Sequence, residues 1–134
     1  MIRKAHSEDL KKILKINEAL NISSYTPWQD ENYVRENIDN YYVYEEERNV
    51  LGAMGFFKHN SFGEIETLAV TEEARFKKIG SNLINHAIEL TQNEKLSLLM
   101  VKSAVEYGVY EFYIKNRFEL EKEENETYIF SRII

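Results

Sequence analysis

The sequence predicts an α/β (α+β) fold with a mixed, mostly antiparallel sheet of about seven strands and helices on both faces. Three observations predict it. Hydrophobic periodicity switches between two and 3.6 along the chain in the order β-α-α-β-β-β-α-β-α-β-β. One segment, Leu68–Ile84, reads as an apolar strand, a basic turn and a long helix that leads to another strand. Strands joined through a helix run parallel, so the sheet is mixed. The 134 residues are 43% hydrophobic and 13% aromatic, ample for one core in a single domain over residues 1–134.

The elements follow in order. Ile2-Arg3-Lys4-Ala5 is a short strand, and Ser7 is placed to cap a helix with Glu8 and Asp9 in its first turn. Leu10, Ile13, Leu14, Ile16 and Leu20 recur at helical spacing. A loop over Asn21–Thr26 and Pro27 precedes a second helix, which Asp30 caps and which runs through about Asp39. Tyr41–Tyr44, Val50–Lys58 and Phe62–Val70 are strands separated by turns at Glu47-Arg48-Asn49 and Asn60-Ser61, an antiparallel meander. Gly52 and Gly55 leave the middle strand bare, which marks a bulge or a close approach by another segment.

The long helix covers about Lys78–Asn93 with Ile79, Leu83, Ile84, Ala87, Ile88 and Leu90 as its buried stripe. Leu96–Val101 shows no alternation and reads as a strand covered on both faces, parallel to the one ending at Val70. Ser103-Ala104-Val105-Glu106 has the spacing of a capping box opening a helix through about Lys115. Phe118–Lys122 and Thr127–Arg132 are the last strands, joined by an acidic turn near Asn125. The apolar end, Tyr128-Ile129-Phe130 and Ile133-Ile134, suits pairing at a sheet edge and hence a homodimer.

Composition excludes several classes. There is no cysteine, and His6, His59 and His86 lie far apart, so no metal site is expected. Apolar runs are too short to span a bilayer, and the N-terminus begins strand-like without a signal-peptide core. The expectation is a soluble cytoplasmic protein with no membrane partner. A net charge of −6 argues against a nucleic-acid partner. Arg75, Lys77 and Lys78 make a local basic patch where the helix begins, and the free N–H groups of a helix start attract anions. A diphosphate fits that place.

This order and the stretch at 68–84 resemble the Gcn5-related N-acetyltransferases (GNAT). That family's phosphate loop reads Arg or Gln, two residues, Gly, one residue, then Gly or Ala, after a strand ending in an aliphatic-Ala-Val run. Leu68-Ala69-Val70 ends the strand here, Arg75 and Gly80 take the first and last motif positions, and Lys78 replaces the middle glycine. Phe112-Tyr113-Ile114-Lys115-Asn116-Arg117-Phe118 looks like the family's Phe-Tyr-x-Lys-x-Gly-Phe segment, with Arg117 for the glycine. Glu106 stands where the family often has asparagine.

The resemblance implies a GNAT-like fold and transfer of an acetyl group from acetyl-CoA to an amine of a small molecule or peptide. It implies strands splayed to admit the pantetheine arm, with backbone contacts at Leu68, Ala69 and Val70. The pyrophosphate contacts carry over to Arg75, Phe76, Lys77, Lys78, Ile79 and Gly80 and to Ser81 at the helix start. The three departures keep a second reading open, a CoA-binding sensor or partner module without catalysis. An unrelated phosphate-binding domain is a third.

Acyl transfer to an ammonium needs a base, an oxyanion donor and a proton for the departing thiolate. Period two puts Glu64 and Glu66 on one strand face with Leu68 and Val70, so either can be the base; an ordinary polar strand face is the alternative. The Val70 N–H is the candidate donor to the thioester carbonyl. Tyr113 is the proposed acid, since a phenol with a reference pKa of about 10 is protonated at neutral pH. Core packing is its alternative role, and Tyr110 and Tyr107 are weaker candidates. Tyr25, Trp28 and Tyr33 are the expected wall of the acceptor site; Trp28 could equally plug the core.

Overall fold

The apolar alternation resolves into seven strands in one sheet, ordered β1-β2-β3-β4-β5-β7-β6, in the computed structural model, which describes residues 1–20 and 27–134. The chain divides into two units, Met1–Phe56 with Thr67–Leu83, and Phe57–Glu66 with Ile84–Ile134. Among the described residues, no helix is long and apolar enough to cross a membrane.

In the first unit, β1 (Ile2–Lys4) pairs antiparallel with β2 (Tyr41–Glu46), and β2 pairs antiparallel with β3 (Asn49–Lys58) from Tyr41↔Gly55 to Glu46↔Asn49. Glu47 and Arg48 both take positive φ, the geometry that matches a two-residue hairpin to strand twist. Helix α1 (Leu10–Asn17) buries Leu10, Ile13 and Ile16 in one core with Val34, Tyr41, Val43 and Ala53. The expected Ser7 cap is not used. Ser7–Asp9 forms a 3-10 turn, and the His6 N–H donates to Asp9 Oδ2 at 2.7 Å, so the aspartate closes the start of the helix. Asp9 also accepts two bonds from the Arg3 guanidinium, at 2.8 and 3.0 Å, while Arg3 reaches Glu45 Oε2 at 3.1 Å.

Helix α2 (Glu31–Glu36) starts as expected, with Asp30 Oδ1 accepting from the Tyr33 N–H. It is shorter than expected: Asn37 leaves the helical region and Ile38–Asn40 forms a separate 3-10 turn. Gly52 is bare because helix α3 (Ile79–Asn93) lies on it. A Cβ there would stand 2.9 Å from Ile79 Cγ2 and 3.2 Å from Leu83 Cδ1.

In the second unit, β4 (Gly63–Val70) begins with a parallel pairing to β5 (Leu98–Ala104), from Gly63↔Leu99 to Ile65↔Val101. The parallel crossover is as the sequence implies. β7 (Thr127–Ile133) pairs antiparallel with β5 on one side and with β6 (Glu119–Glu124) on the other. β7 is therefore interior, and β6 forms the edge, which corrects the expectation of an apolar edge at Tyr128–Phe130. β5 also alternates, with Leu99, Val101 and Ser103 buried and Lys102 exposed, so it is not sealed on both faces. The capping box at Ser103–Glu106 does not form. Its first two residues pair with Tyr128 and Thr127 of β7, a 3-10 turn spans Val105–Tyr107, and Gly108 turns with φ +66 before helix α4 (Tyr110–Lys115).

Candidate functional site

The first unit holds the strand–loop–helix segment. Along β4 burial alternates: Thr67 and Ala69 are buried, while Leu68 and Val70 are half-buried on the other face. The strand ends where the Thr71 N–H donates to the Leu51 carbonyl at 2.9 Å. A 3-10 turn over Glu72–Ala74 follows, anchored by buried Ala74. Arg75, Phe76, Lys77 and Lys78 are all exposed, and buried Ile79 re-anchors the chain as α3 begins.

Phe76 (φ +72) and Lys78 (φ +62) are left-handed, with Lys77 between them outside that region. An alternation of this kind turns successive backbone N–H groups inward as an anion-binding concavity. At the start of the helix the Asn82 N–H donates to the Lys78 carbonyl at 3.0 Å. The N–H groups of Ile79, Gly80 and Ser81 thus stand at a helix start, where no intrahelical acceptor exists for them. Three cations and these amides fit a diphosphate. Thr71 Oγ1, buried at the mouth of the same loop, has no hydrogen-bond partner.

The expected acceptor-wall residues also lie in this unit. Trp28 is half-buried in a 3-10 turn (Pro27–Gln29), its carbonyl accepting from Asn17 Nδ2 at 3.1 Å, and its buried Nε1 has no partner. Tyr33 is half-buried on the α1–α2 core. Tyr25 lies outside the described residues.

The second unit holds the carboxylates and the phenol. Glu64 and Glu66 are half-buried on the β4 face opposite Gly63 and Ile65. Glu64 Oε1 lies 2.7 Å from His59 Nε2, a contact that sequence reasoning missed. A histidine in a turn five residues before a glutamate carries no periodic signal, and only the hairpin brings them together. Tyr113 is buried on α4 among Phe112, Phe118 and Phe130, with ring centroids 5.1, 5.6 and 5.1 Å away. Burial pushes its phenol above the ordinary range and holds it protonated.

The position where the family motif has glycine in this segment has a visible purpose. Arg117 takes φ +66 just past α4. The Phe118 N–H donates to the Tyr113 carbonyl and the Arg117 N–H to that of Ile114, both at 3.0 Å. That double closure is the Schellman stop, which favours glycine at the left-handed position.

The sheet order and helices are those of the acyl-CoA N-acyltransferase fold. The chain belongs to the acetyltransferase (GNAT) family, whose family model matches residues 7–127. No curated protein matches the sequence. Among solved structures, the PaiA N-acetyltransferase of Thermoplasma acidophilum, in complex with coenzyme A, is 17% identical with a TM-score of 0.88, covering 100% of this chain and 98% of that one. The N-acetylglutamate synthase of Neisseria gonorrhoeae, complexed with coenzyme A and N-acetyl-glutamate, is 21% identical with a TM-score of 0.84. The match covers 99% of this chain but only 34% of the synthase. Ard1 of Thermoplasma volcanium is 20% identical with a TM-score of 0.82, covering 100% and 97% of the two chains.

Proposed function

We propose that the protein is a cytoplasmic, single-domain, acetyl-CoA-dependent N-acetyltransferase that acetylates a primary amine of a small molecule or peptide by direct attack. The observation that carries this is the segment from Leu68 to Ser81. It joins a half-buried strand end to an exposed basic loop with two left-handed residues and an open helix start. Coenzyme A bound to the PaiA and synthase structures supports the donor. The amino-acid derivative held by the synthase supports a small-molecule acceptor for this chain.

Each residue then has a role. Backbone groups of Leu68, Ala69 and Val70 hold the pantetheine arm, and the Val70 N–H donates to the thioester oxygen as charge develops there. Arg75–Gly80 and Ser81 take the diphosphate. Glu64 removes a proton from the acceptor ammonium, with Glu66 the alternative base on the same face. The freed amine attacks the thioester carbon, the C–S bond breaks as Tyr113 gives its proton to the sulfur, and the second proton shed by the nitrogen as the amide forms restores the Tyr113 phenol. Trp28 and Tyr33 wall the acceptor; Tyr25, assigned to the same wall by the sequence, lies outside the described residues.

The competing reading, a CoA-binding module without catalysis, draws on Lys78, Glu106 and Arg117. Lys78 and Arg117 take the left-handed backbone that glycine adopts most readily, so each carries strain that a glycine would not, and at Lys78 that strain counts against tight diphosphate binding in either reading. Two measurements decide. Acetyl-CoA at a hundred times its Kd stabilises the folded protein by about 2.7 kcal/mol, read as a raised thermal midpoint. Free thiol is released with one or more of a panel of amines, and Glu64→Gln or Glu66→Gln suppresses it. No stabilisation at millimolar acetyl-CoA sinks the enzyme and the binding module together; stabilisation without thiol release leaves only the module.

A further inference from the structure

The turn between β3 and β4 fixes His59. Its N–H donates to the Phe62 carbonyl at 2.9 Å, and its ring stacks on Phe62 with centroids 4.5 Å apart and planes 22° apart. Nε2 then lies 2.7 Å from Glu64 Oε1. A ring nitrogen and a carboxylate oxygen this close share a hydrogen, and an acceptor-only carboxylate takes it from the ring nitrogen. The bond engages one carboxylate oxygen and not Oε2. The pair also runs from the half-buried strand face to solvent, with side-chain exposures of 19% for Glu64 and 42% for His59.

The charged groups around the pair come from each neighbouring element. Glu66 lies two residues on along β4, Lys58 of β3 is ion-paired with Glu94 beyond α3 at 2.8 Å, and β5 carries exposed Lys102. The β5 residue in register with Glu64 is uncharged Met100. The group in hydrogen-bond contact with Glu64 is His59.

We infer that His59 is a positioning residue for the general base: its Nε2–H holds Glu64 Oε1 and leaves Oε2 to receive the ammonium proton. The inference rests on the proposed transferase reaction with Glu64 as base. The protons balance: the first ammonium proton moves to Oε2, the Nε2 proton stays on His59, Tyr113 gives its proton to the thiolate sulfur, the second proton shed by the nitrogen as the amide forms restores the Tyr113 phenol, and Glu64 releases its proton to solvent.

The test compares kcat and KM of the wild type, His59→Ala, His59→Gln and Glu64→Gln, with ring-nitrogen NMR of His59. His59→Ala lowers kcat about tenfold with little change in KM for acetyl-CoA. His59→Gln, which keeps an N–H donor, restores most of the rate, and the neutral ring shows the Nε2–H tautomer. Wild-type kcat in His59→Ala overturns the inference, even with a lowered thermal midpoint, and so does an Nδ1–H tautomer. If Glu64→Gln is slow and His59→Ala is not, only this inference falls. If Glu64→Gln keeps the wild-type rate, the assignment of Glu64 as base falls and the role of His59 goes with it.

Discussion

Tyr113 is the residue where core packing and the proposed chemistry meet. Its ring belongs to an aromatic cluster, as a core tyrosine would, and burial raises its phenol pKa. A raised pKa weakens the phenol as a full proton donor but keeps the hydrogen in place across the neutral range. Tyr113→Phe should therefore cut thiol release about tenfold or more while the thermal midpoint changes little; unchanged turnover removes Tyr113 from the acid role. Arg117 offers a cleaner stability test. A left-handed residue with a side chain costs about 1–2 kcal/mol, and glycine gives back about 0.5–1 kcal/mol through the unfolded chain. Arg117→Gly is expected to stabilise by up to about 1 kcal/mol in denaturant unfolding. These two positions also differ in how far the sequence revealed them. The Phe-Tyr motif was readable as a string, but the reason for its glycine was not, because a helix stop is a backbone shape. His59 was invisible for a related cause: its partner is set by a hairpin, not by spacing.

At the scale of elements, buried periodicity was the dependable guide. The stripe Ile79, Leu83, Ile84 and Ala87 is buried as its spacing implies, and Asp30 caps α2. The failures fall where tertiary pairing competes with a local signal. Ser103-Ala104-Val105-Glu106 has cap spacing, yet β7 offers its first residues ladder bonds, and the strand wins. The run that reads as a doubly covered strand, Leu96–Val101, exposes Ser97 and leaves Leu98 and Met100 half-buried, and nothing within the run itself marks which face is open. Gly52 was legible in a different way, since a bare strand signals a close neighbour. Its neighbours are the Ile79 and Leu83 side chains. Gly52→Ala should cost about 1–3 kcal/mol by overpacking, measured as a lowered denaturation midpoint with an unchanged slope. A neutral result means that both side chains step aside without loss.

At the scale of the whole molecule, pH enters through carboxylates that folding has tied down. The Arg3 hydrogen bonds, assisted by the His6 N–H, hold the Asp9 carboxyl below its ordinary range despite burial. A lowered folded pKa means that the unfolded chain binds more protons in that interval, so stability rises with pH there. Asp9 therefore contributes fully above an ordinary aspartate pKa of about 4, and its share is lost as pH falls toward the lower folded value. Asp9→Asn should lower stability near neutrality by about 1.5–3 kcal/mol and flatten the acid side of the stability–pH curve; an unchanged curve assigns acid sensitivity elsewhere. The outermost strand, β6, adds a collective effect. Glu119, Glu121, Glu123 and Glu124 are exposed along an edge whose unpaired backbone could otherwise template another chain. An incoming copy of the same strand meets these carboxylates, offset only by Lys122 on Glu124 at 3.0 Å, before it can form a ladder, so the sheet stops growing at its seventh member. The molecule's tolerance of its own neighbours in solution is thus lent to it by the charge on its last strand.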